Sequence, residues 1–500
     1  MKSDKYIVVC GNIITGNELY LIKSLGYKSI LINSNTWISL DKALEADVPV
    51  EVNLNDEEKV LKKIDELKEK YNIVAVFTLH EYRVPMAAKI KEHLGLPYGL
   101  SYEAAMKCRN KKATRKTLKG LGKDSVKHAI IRTLEEAKAF VNVNGLPVVI
   151  KPSNDAGSKL VACCSTMSEV EEAVSNIRNV KTNLVDIMLD PEFLIEEFLD
   201  GPEFSVETIT YQGEPRVIAI TSKKILSQIA PIEVGHTVPA SLDLVEEESI
   251  KSIVIKAHKL LGISDTVTHT EIILTKNGPR IVEVNARPGG DNISLLVEAV
   301  TGVNLYASNI LLALGKDIIT DSQQCTASKA DIRYFIAEED GYARISDLSD
   351  IYNNAKVKKI DLNIKHGMQV KKSTNNYDRL GWFICFDEED EIINEIAQIV
   401  EVQKEPLQEI LPEEKISEKK EDWNLDNFQK MNIDISSKDN ISAREYAMAV
   451  LMRGLLSDSD HKKVRAVIYA KSIGISNEEI YRLFSSVSDI DQILNYKSIS

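Results

Sequence analysis

The sequence predicts a multidomain protein of mixed α/β and α+β class. In the first hundred residues, short β-branched strands alternate with amphipathic helices, as in a helix-covered parallel sheet. From about residue 101 to residue 320, strands pair as hairpins between helices. The length of 500 residues exceeds what one hydrophobic core usually organises, and at ~150 residues per domain it suggests roughly three domains.

The first hundred residues are predicted to form the parallel sheet. The predicted strands are residues 6–9, 30–32 and 73–79, and the predicted helices are residues 16–25, 56–70 and 84–94. The segment between Gly11 and Gly16 follows the first strand but lacks the G-x-G-x-x-G spacing of dinucleotide-binding proteins. We therefore interpret it as an ordinary turn from strand to helix.

The middle of the chain predicts two hairpins. One joins residues 205–211 to 216–221 around Gln212-Gly213, and the other joins 267–274 to 280–285 around Asn277-Gly278. Further short strands are predicted in the middle and later regions, and the helical stretch 292–313 is broken near Gly302. Residues 401–440 are acidic and contain two prolines, which predicts a solvated linker, and the last sixty residues have helical periodicity.

Composition excludes several classes of protein. The 62 Lys and Arg residues against 75 Asp and Glu residues give a net charge of −13, which repels nucleic acid and anionic membranes. A basic run at residues 107–119 lacks aromatic residues, so we interpret it as a solvated helix face. Six scattered cysteines favour reduced thiols in a cytoplasmic protein, and no apolar run reaches the ~18 residues that a membrane span needs.

The strongest chemical signal is a group of polar side chains on the second hairpin. Glu283, Asn285 and Arg287 share one face of a strand because side chains alternate between faces. Carboxylates and an amide on an apolar strand need a cationic partner, and hard oxygen ligands suit Mg²⁺. Arg287 would complement a phosphate or a developing oxyanion. The alternative is a surface hairpin with solvated acids.

The register of this hairpin decides whether Glu271 joins the group. A two-residue turn at Asn277-Gly278 would place Glu271 opposite Val284, on the wrong face. A three- or five-residue loop centred on Asn277 would instead pair Glu271 with Glu283. Pro279 cannot donate a ladder hydrogen bond, so the sequence favours the longer loop.

Two further segments suggest phosphate and purine binding. Lys151 ends an apolar strand and is followed by a loop of small residues, which can present a cation and backbone N–H groups to phosphates. Residues 194–199 can offer backbone donors and acceptors to a purine edge, and Glu203 could accept from ribose hydroxyls. Each segment alone is also compatible with an ordinary strand and turn. His258 and His269 lie in apolar surroundings, which favours core histidines over ligands.

Together, the three segments in this order resemble the ATP-grasp superfamily, and within it the carboxylate–amine ligases that include bacterial L-amino-acid ligases. The resemblance covers about residues 1–400. It implies an N-terminal α/β domain (1–100), an ATP-grasp domain (101–320) that clasps ATP between two subdomains with a lid at about 113–190, and a small C-terminal β-rich α+β domain (321–400). An acidic linker (401–440) and a helical unit (441–500) follow, and the resemblance supplies no counterpart for the helical unit.

The resemblance also assigns roles to individual residues. The implied ATP-binding residues are Lys111 (preferred to Lys112), Lys151, Ser158, Glu196, Glu197, Phe198, Leu199 and Glu203. The implied metal ligands are Glu271, Glu283 and Asn285, and the implied catalytic residue is Arg287. His236, Arg287, Gly289 and Gly290 are the implied substrate-binding residues. Leu160 stands where the family's phosphate loop often has a second glycine.

The implied activity is an ADP-forming ligation of small-molecule substrates. A carboxylate would attack the γ-phosphate of Mg·ATP, and an amine would then displace phosphate from the acyl phosphate to form an amide or peptide bond. The implied cofactors are ATP and Mg²⁺, for which Mn²⁺ can substitute in such a site. Similar ligases are often homodimers. Two alternatives keep the nucleotide site: a carboxylase or carrier-loading ligase, and a nucleotide-binding regulatory protein without catalysis.

Overall fold

The computed structural model describes residues 4–11, 18–34, 46–157, 159–183, 185–226, 232–317, 325–346, 351 and 354–405. The predicted helical unit, the predicted linker beyond residue 405, the turn after the first strand and Ser158 lie outside the described residues. Among the described residues, the cysteines are free thiols, as predicted.

The N-terminal region forms the predicted parallel sheet, with strand order β3-β2-β1-β4. Its strands are β1 (Lys5–Cys10), β2 (Lys28–Asn33), β3 (Val48–Glu51) and β4 (Asn72–Phe77), and its helices are α1 (Glu18–Ser24), α2 (Glu57–Lys70) and α3 (Val84–His93). The prediction missed β3, which is only four residues long and contains Pro49. A 3₁₀ turn, Glu81–Arg83, joins β4 to α3 and places Glu81 beyond the carboxyl end of β4.

Two short helices lead into a separate four-stranded antiparallel sheet, which we call the lid sheet. The helices are α4 (Tyr102–Arg109) and α5 (Lys111–Leu118), and the strands are β5 (His128–Ile131), β6 (Val148–Pro152), β7 (Ala162–Cys164) and β8 (Phe193–Glu197), in the order β5-β8-β6-β7. Helices α6 (Leu134–Asn144) and α7 (Met167–Asn179) cover one face of this sheet, and each begins with a capping box. Their apolar faces and the sheet share one core.

An eight-stranded antiparallel sheet, here the large sheet, forms the centre of the structure in the order β13-β12-β9-β10-β11-β14-β18-β16. Its strands are β9 (Glu203–Tyr211), β10 (Glu214–Ile225), β11 (Glu233–Val238), β12 (Thr266–Thr275), β13 (Gly278–Asn285), β14 (Ala330–Phe335), β16 (Val357–Leu362) and β18 (Gly381–Phe386). The last three come from the predicted C-terminal domain, so that region extends the same sheet. Helix α8 (Leu244–Leu261) packs on one face.

The remaining elements complete the other face and the C-terminal region. Helices α9 (Ile293–Thr301) and α10 (Leu305–Ala313) are separated at Gly302, as predicted. A three-stranded sheet, β17-β15-β19, lies beside helix α11; its strands are β15 (Gly341–Ile345), β17 (Gln369–Val370) and β19 (Val400–Gln403), and the helix is Asp390–Ala397. Strand β19 thus continues three residues past the predicted boundary at residue 400.

The β12–β13 hairpin reaches the predicted pairing by an unpredicted route. Its turn is tight, because Thr275 already pairs with Gly278. That turn alone would leave Glu271 opposite Val282, but a β-bulge shifts the register beyond Ile272 by one residue, and Glu271 pairs with Glu283. The longer loop was therefore wrong and the carboxylate pairing right. Pro279 is tolerated because β13 is the edge strand.

In the part of the chain that the structure describes, no single helix is long and apolar enough to cross a membrane. Taken together, α9 and α10 would meet the requirement by length and composition, but they are bent by 93° at the break between them. Both helices contribute buried side chains to hydrophobic cores.

Candidate active site

The lid sheet and the large sheet face each other across a cleft, which we call the lysine cleft. Lid residues on one side and residues of β9, β12 and β13 on the other line it. The predicted site residues that line this cleft are Lys111, Lys151, Glu196, Glu197, Phe198, Leu199, Glu203, Glu271 and Glu283. The structure thus brings the predicted nucleotide residues and two of the three predicted metal ligands to one place.

Glu283 lines this cleft from β13, and Asn285, two residues further along the strand, contacts it. Lys111 Nζ lies 3.1 Å from Glu283 Oε2. With its amide oriented to satisfy both contacts, Asn285 donates to Glu283 Oε1 at 2.8 Å and to Glu81 Oε2 at 3.2 Å. These contacts hold the side chains of Glu283 and Asn285 in place.

Lys223, which the sequence analysis did not single out, is the cation beside Glu271. This buried ammonium lies 2.5 Å from Glu203, 3.0 Å from Glu233 and 3.3 Å from Glu271. Burial opposes its charge, but the three carboxylates outweigh burial and raise the pKa of Lys223 well above its usual value. One oxygen of each carboxylate lies within 4.8 Å of the others, a spacing that could also hold a metal ion.

A buried histidine fixes Glu271 from behind. His269 Nδ1 lies 2.6 Å from Glu207 Oε1, and His269 Nε2 lies 3.4 Å from Glu271 Oε1. Burial opposes protonation of His269, but Glu207 and Glu271 raise its pKa to about 10. Burial likewise opposes ionisation of Glu271, yet Lys223 and His269 hold the pKa of this carboxyl below its usual range. Glu271 is therefore an oriented carboxylate, and His269 is an ion-paired histidine rather than a neutral core residue.

The lid lysine Lys151 is held by a second buried ion-pair network. Its Nζ lies 2.8 Å from Glu196 Oε2, and Arg115 binds both oxygens of Glu196. Burial opposes ionisation of Glu196, but Arg115 and Lys151 outweigh it and lower the pKa of this carboxyl. The Glu196 side chain is thus committed to these two cations. Residues 197–199, which follow Glu196 and also line the cleft, therefore remain as the predicted contacts to the purine edge.

The loop after Lys151 is tied to the helices that precede the lid. Lys111 donates through its backbone N–H to the carbonyl of Ser153 at 2.8 Å and through Nζ to the carbonyl of Asp155 at 2.8 Å. Tyr82 donates to Asp155 Oδ1 at 2.6 Å. Leu160 has φ 58°, so the position that is often glycine in the family does require a left-handed backbone. Lys112 instead pairs with Asp190 and Glu192.

A second group of charges, here the Glu81 cluster, joins the N-terminal sheet to the end of β13. Arg287 Nε donates to Glu81 Oε2 at 2.9 Å, and Arg109 Nε lies 4.0 Å from Glu81 Oε1. Asn285 completes the cluster through its contact with Glu81. The predicted catalytic arginine therefore lies beside a predicted metal ligand but is paired with a residue of the N-terminal region.

A third group, here the Glu233 cluster, surrounds the predicted residue His236. His236 Nε2 lies 3.5 Å from Glu233 Oε2 and from Asp291 Oδ2, and among the residues that the structure describes neither ring nitrogen has a hydrogen-bond partner. Arg379 donates to Asp291 at 2.8 Å and to Glu233 at 3.3 Å. Because Lys223 also binds Glu233, this cluster adjoins the lysine cleft.

The two predicted glycines differ in their surroundings. A Cβ on Gly289 would lie 2.8 Å from His269 Nδ1, and the Gly289 N–H donates to Glu207 at 3.3 Å. Gly289 is therefore required for the close approach of this loop to the buried pair behind Glu271. A Cβ on Gly290 would meet open space.

Several charged residues of the site were not predicted from the sequence, namely Glu81, Arg115, Glu207, Lys223, Glu233, Asp291 and Arg379. Some carried a readable signal: Glu81 follows the end of a parallel strand, where binding residues collect, and Glu207 is the one charged residue in the segment 204–211. Arg379 carried none, because only the folding of the C-terminal strands brings it to Asp291.

Comparison with known protein families gives two matches. A model described as an ATP-grasp domain matches residues 144–295, and a model described as an ATP-grasp N-terminal domain matches residues 23–98. The first includes the lid sheet from β6 onward, the β9–β10 hairpin and the β12–β13 hairpin. The second covers much of the parallel sheet.

Individual relatives include an alanine–anticapsin ligase and an uncharacterized protein. Alanine–anticapsin ligase of Bacillus subtilis (strain 168) is 30% identical over 278 residues, which span 52% of this chain and 58% of the relative. An uncharacterized protein of Sinorhizobium fredii is 26% identical over 395 residues, spanning 77% of this chain and 79% of the relative.

The fold also matches a solved structure. The crystal structure of L-amino acid ligase from Bacillus licheniformis superposes with a TM-score of 0.66 at 23% identity, covering 81% of this chain and 100% of that one. The predicted ATP-grasp architecture is therefore confirmed for the described residues. The chain therefore contains a match to an ATP-grasp domain at residues 144–295 and a match to an ATP-grasp N-terminal domain at residues 23–98, and it is similar to an alanine–anticapsin ligase and to an L-amino acid ligase.

Proposed function

We propose that this protein is an ADP-forming ligase that joins the carboxylate of one amino acid to the amine of another. The observation that carries the proposal is the lysine cleft, in which paired carboxylates on β12 and β13 face two lysines of the lid side. The names of two relatives, an alanine–anticapsin ligase and an L-amino acid ligase, support the choice of substrate class.

In this proposal, the cleft binds ATP along its length. The segment 197–199 would contact the purine, and Glu203 the ribose. Lys111 and Lys151 would bind the phosphates, because both ammonium groups line the cleft and each is balanced by a single glutamate side chain.

The residues on the hairpin fit Mg²⁺. Glu271, Glu283 and Asn285 supply hard oxygen donors, and Glu271 is held ionised and oriented. When bound, Mg²⁺ would neutralise charge on the phosphates during transfer. Lys223 and Lys111 are the ammonium groups that lie beside Glu271 and Glu283, respectively.

The chemistry then needs two displacements. A substrate carboxylate oxygen attacks the γ-phosphorus of ATP, the bond to the ADP oxygen breaks, and an acyl phosphate forms. The amine nitrogen attacks the acyl carbon, loses a proton, and inorganic phosphate leaves. Arg287 would stabilise the oxyanion of this second step, since its guanidinium stands beside Asn285 at the end of the cleft strand.

The test is product analysis with Mg·ATP and pools of L-amino acids. We expect ADP and phosphate to be released only when both an acid and an amine are supplied, with a dipeptide mass in the product. Glu172→Gln, an exposed change on α7, is the matched control for cleft variants. Formation of AMP would contradict the scheme, and ADP formation with bicarbonate but without an amine would indicate a carboxylase instead.

A further inference from the structure

Arg115 connects the two walls of the lysine cleft. It lies on α5, and only 3% of its surface is exposed. Towards the lid sheet, Nε and NH2 donate to the two oxygens of Glu196 at 2.5 and 2.9 Å. Towards the large sheet, NH1 donates to the carbonyl of Ile281 at 2.7 Å and NH2 to the carbonyl of Val282 at 3.0 Å.

The two carbonyls belong to the β-bulge of β13. In a regular strand, successive carbonyls point in opposite directions, so one planar group does not reach both. The bulge interrupts this alternation between Ile281 and Glu283, and among the described strands β13 is the edge strand, with no further strand bound to its outer side. Arg115 takes the place of that missing strand at the bulge.

The bulge determines where Glu283 points. If Val282 were paired regularly instead of being skipped at the bulge, the tight turn would place it opposite Glu271, and Glu283 would point to the opposite face of the sheet. At its other end, Arg115 fixes Glu196, which holds the Lys151 ammonium. One buried guanidinium thus contacts both the backbone that aims a carboxylate and the side chain that aims a lysine.

We propose that Arg115 is a positioning residue that locks the register of the bulged strand to the lid, so that Glu283 and Lys151 face the same bound phosphates. The activity part of this inference rests on the proposed function, whereas the structural part does not. A planar fork with several donors is needed, because a lysine ammonium at this site cannot reach Glu196 and both carbonyls together.

The test compares Arg115→Lys with Arg132→Lys. Arg132 also pairs with a lid-side glutamate, Glu192, but its side chain is 65% exposed, so it is the matched control. In Arg115→Lys, we expect backbone hydrogen exchange at residues 280–284 to rise about tenfold, while the β9–β10 hairpin stays protected. Unchanged exchange at 280–284 would overturn the inference whether or not the protein is a ligase.

Nucleotide binding gives the second measurement. We expect the Kd of Arg115→Lys for ADP alone to lie within about threefold of the parent value. In the presence of Mg²⁺, the factor by which the metal tightens ADP binding should be about tenfold smaller than in the parent. In kinetics, kcat should fall more than the KM for the amine rises. A parent protein that binds no ADP would defeat the proposed function, while the exchange experiment would still decide the role of Arg115.

A second variant separates the two ends of Arg115. Glu196→Gln removes the charge that holds Lys151 but leaves Arg115 able to bind the carbonyls of the bulge. We expect this variant to weaken ADP binding without Mg²⁺ and to keep residues 280–284 protected. Loss of protection at the bulge in Glu196→Gln would contradict the proposed division of roles, and it replaces the first test if Arg115→Lys does not fold.

Discussion

The lysine cleft and the Glu81 cluster are built in different ways. In the cleft, Glu203, Glu271 and Glu283 lie on three neighbouring strands, and the ladder between β9, β12 and β13 sets their positions. In the Glu81 cluster, Glu81 and Arg287 are 206 residues apart and come from different sheets, so their contact depends on how the N-terminal region docks.

This difference suggests a division of labour. Residues fixed by one sheet are suited to a part of the reaction that never changes, such as phosphoryl transfer from ATP. Residues contributed by separate regions can be altered without disturbing the sheet, and they suit the recognition of variable substrates. We therefore expect changes in the cleft to affect all substrates alike, and a change at Glu81 itself to affect them unequally.

The largest effect is expected from Glu283→Gln. The amide keeps the shape of the side chain but removes the charge that Mg²⁺ and Lys111 require, so turnover should fall by at least about 10³-fold with every amino-acid pair. Phosphate release measures this, and a thermal melt checks that the fold is intact. Turnover near that of the Glu172→Gln control would remove Glu283 from the metal site.

Contacts set within one sheet could be predicted from the sequence, whereas contacts between separate regions could not. The pairing of Glu271 with Glu283 and the shared face of Glu283 and Asn285 could be predicted, because strand alternation and hairpin pairing act over a few residues. Even there, neither the tight turn nor the bulge was predicted. The tight turn shifts the register by one residue relative to the predicted loop, and the bulge shifts it back, so the predicted pairing of Glu271 with Glu283 is still reached. The parallel sheet and both hairpins were predicted for the same local reasons.

The contacts of the Glu81 cluster could not be predicted in this way. Arg287 was found because it follows a recognisable strand, but nothing in its neighbourhood indicates Glu81 as its partner. Such long-range ion pairs depend on the packing of domains, which no periodicity in the sequence reports. The buried cations Arg115 and Lys223 were missed because a basic residue on a helix or strand is usually solvated.

The next effect is expected from Arg287→Ala. Loss of the guanidinium should lower peptide formation about 10²-fold, because the oxyanion of the second step loses its charged donor. Binding of ADP, measured by calorimetry, should be unchanged, since Arg287 lies outside the lysine cleft. If ADP binding falls together with product formation, the separation between cleft and cluster is wrong.

A smaller and substrate-dependent effect is expected from Glu81→Gln. The neutral amide still bonds to Asn285 but no longer balances Arg287, so Arg287 should reorient. We expect kcat/KM for the amine to fall about tenfold, with the ratio between two amines changed and the KM for ATP kept. An equal loss for every amine would mean that Glu81 acts on the common chemistry rather than on substrate choice.

The smallest effect on activity is expected from His258→Gln, because His258 is buried between α8 and the strands β9 and β12 and does not line the lysine cleft. It is fully buried in α8 against the hydroxyls of Thr210, Thr268 and Thr270, and burial lowers its pKa to about 4. Above pH 6.5 the histidine is neutral in both the folded and the unfolded chain, so it adds no pH dependence there.

As the pH falls from 6.5 towards 4, the unfolded chain binds a proton that the folded protein cannot, and the folded state loses on the order of 3 kcal/mol. We therefore expect thermal midpoints of the parent to fall more steeply over this window than those of His258→Gln, even if the variant starts lower at pH 7.5. Parallel pH profiles would show that His258 is not the neutral residue in the scaffold. The acid sensitivity would then have to come from the charged groups of the cleft itself.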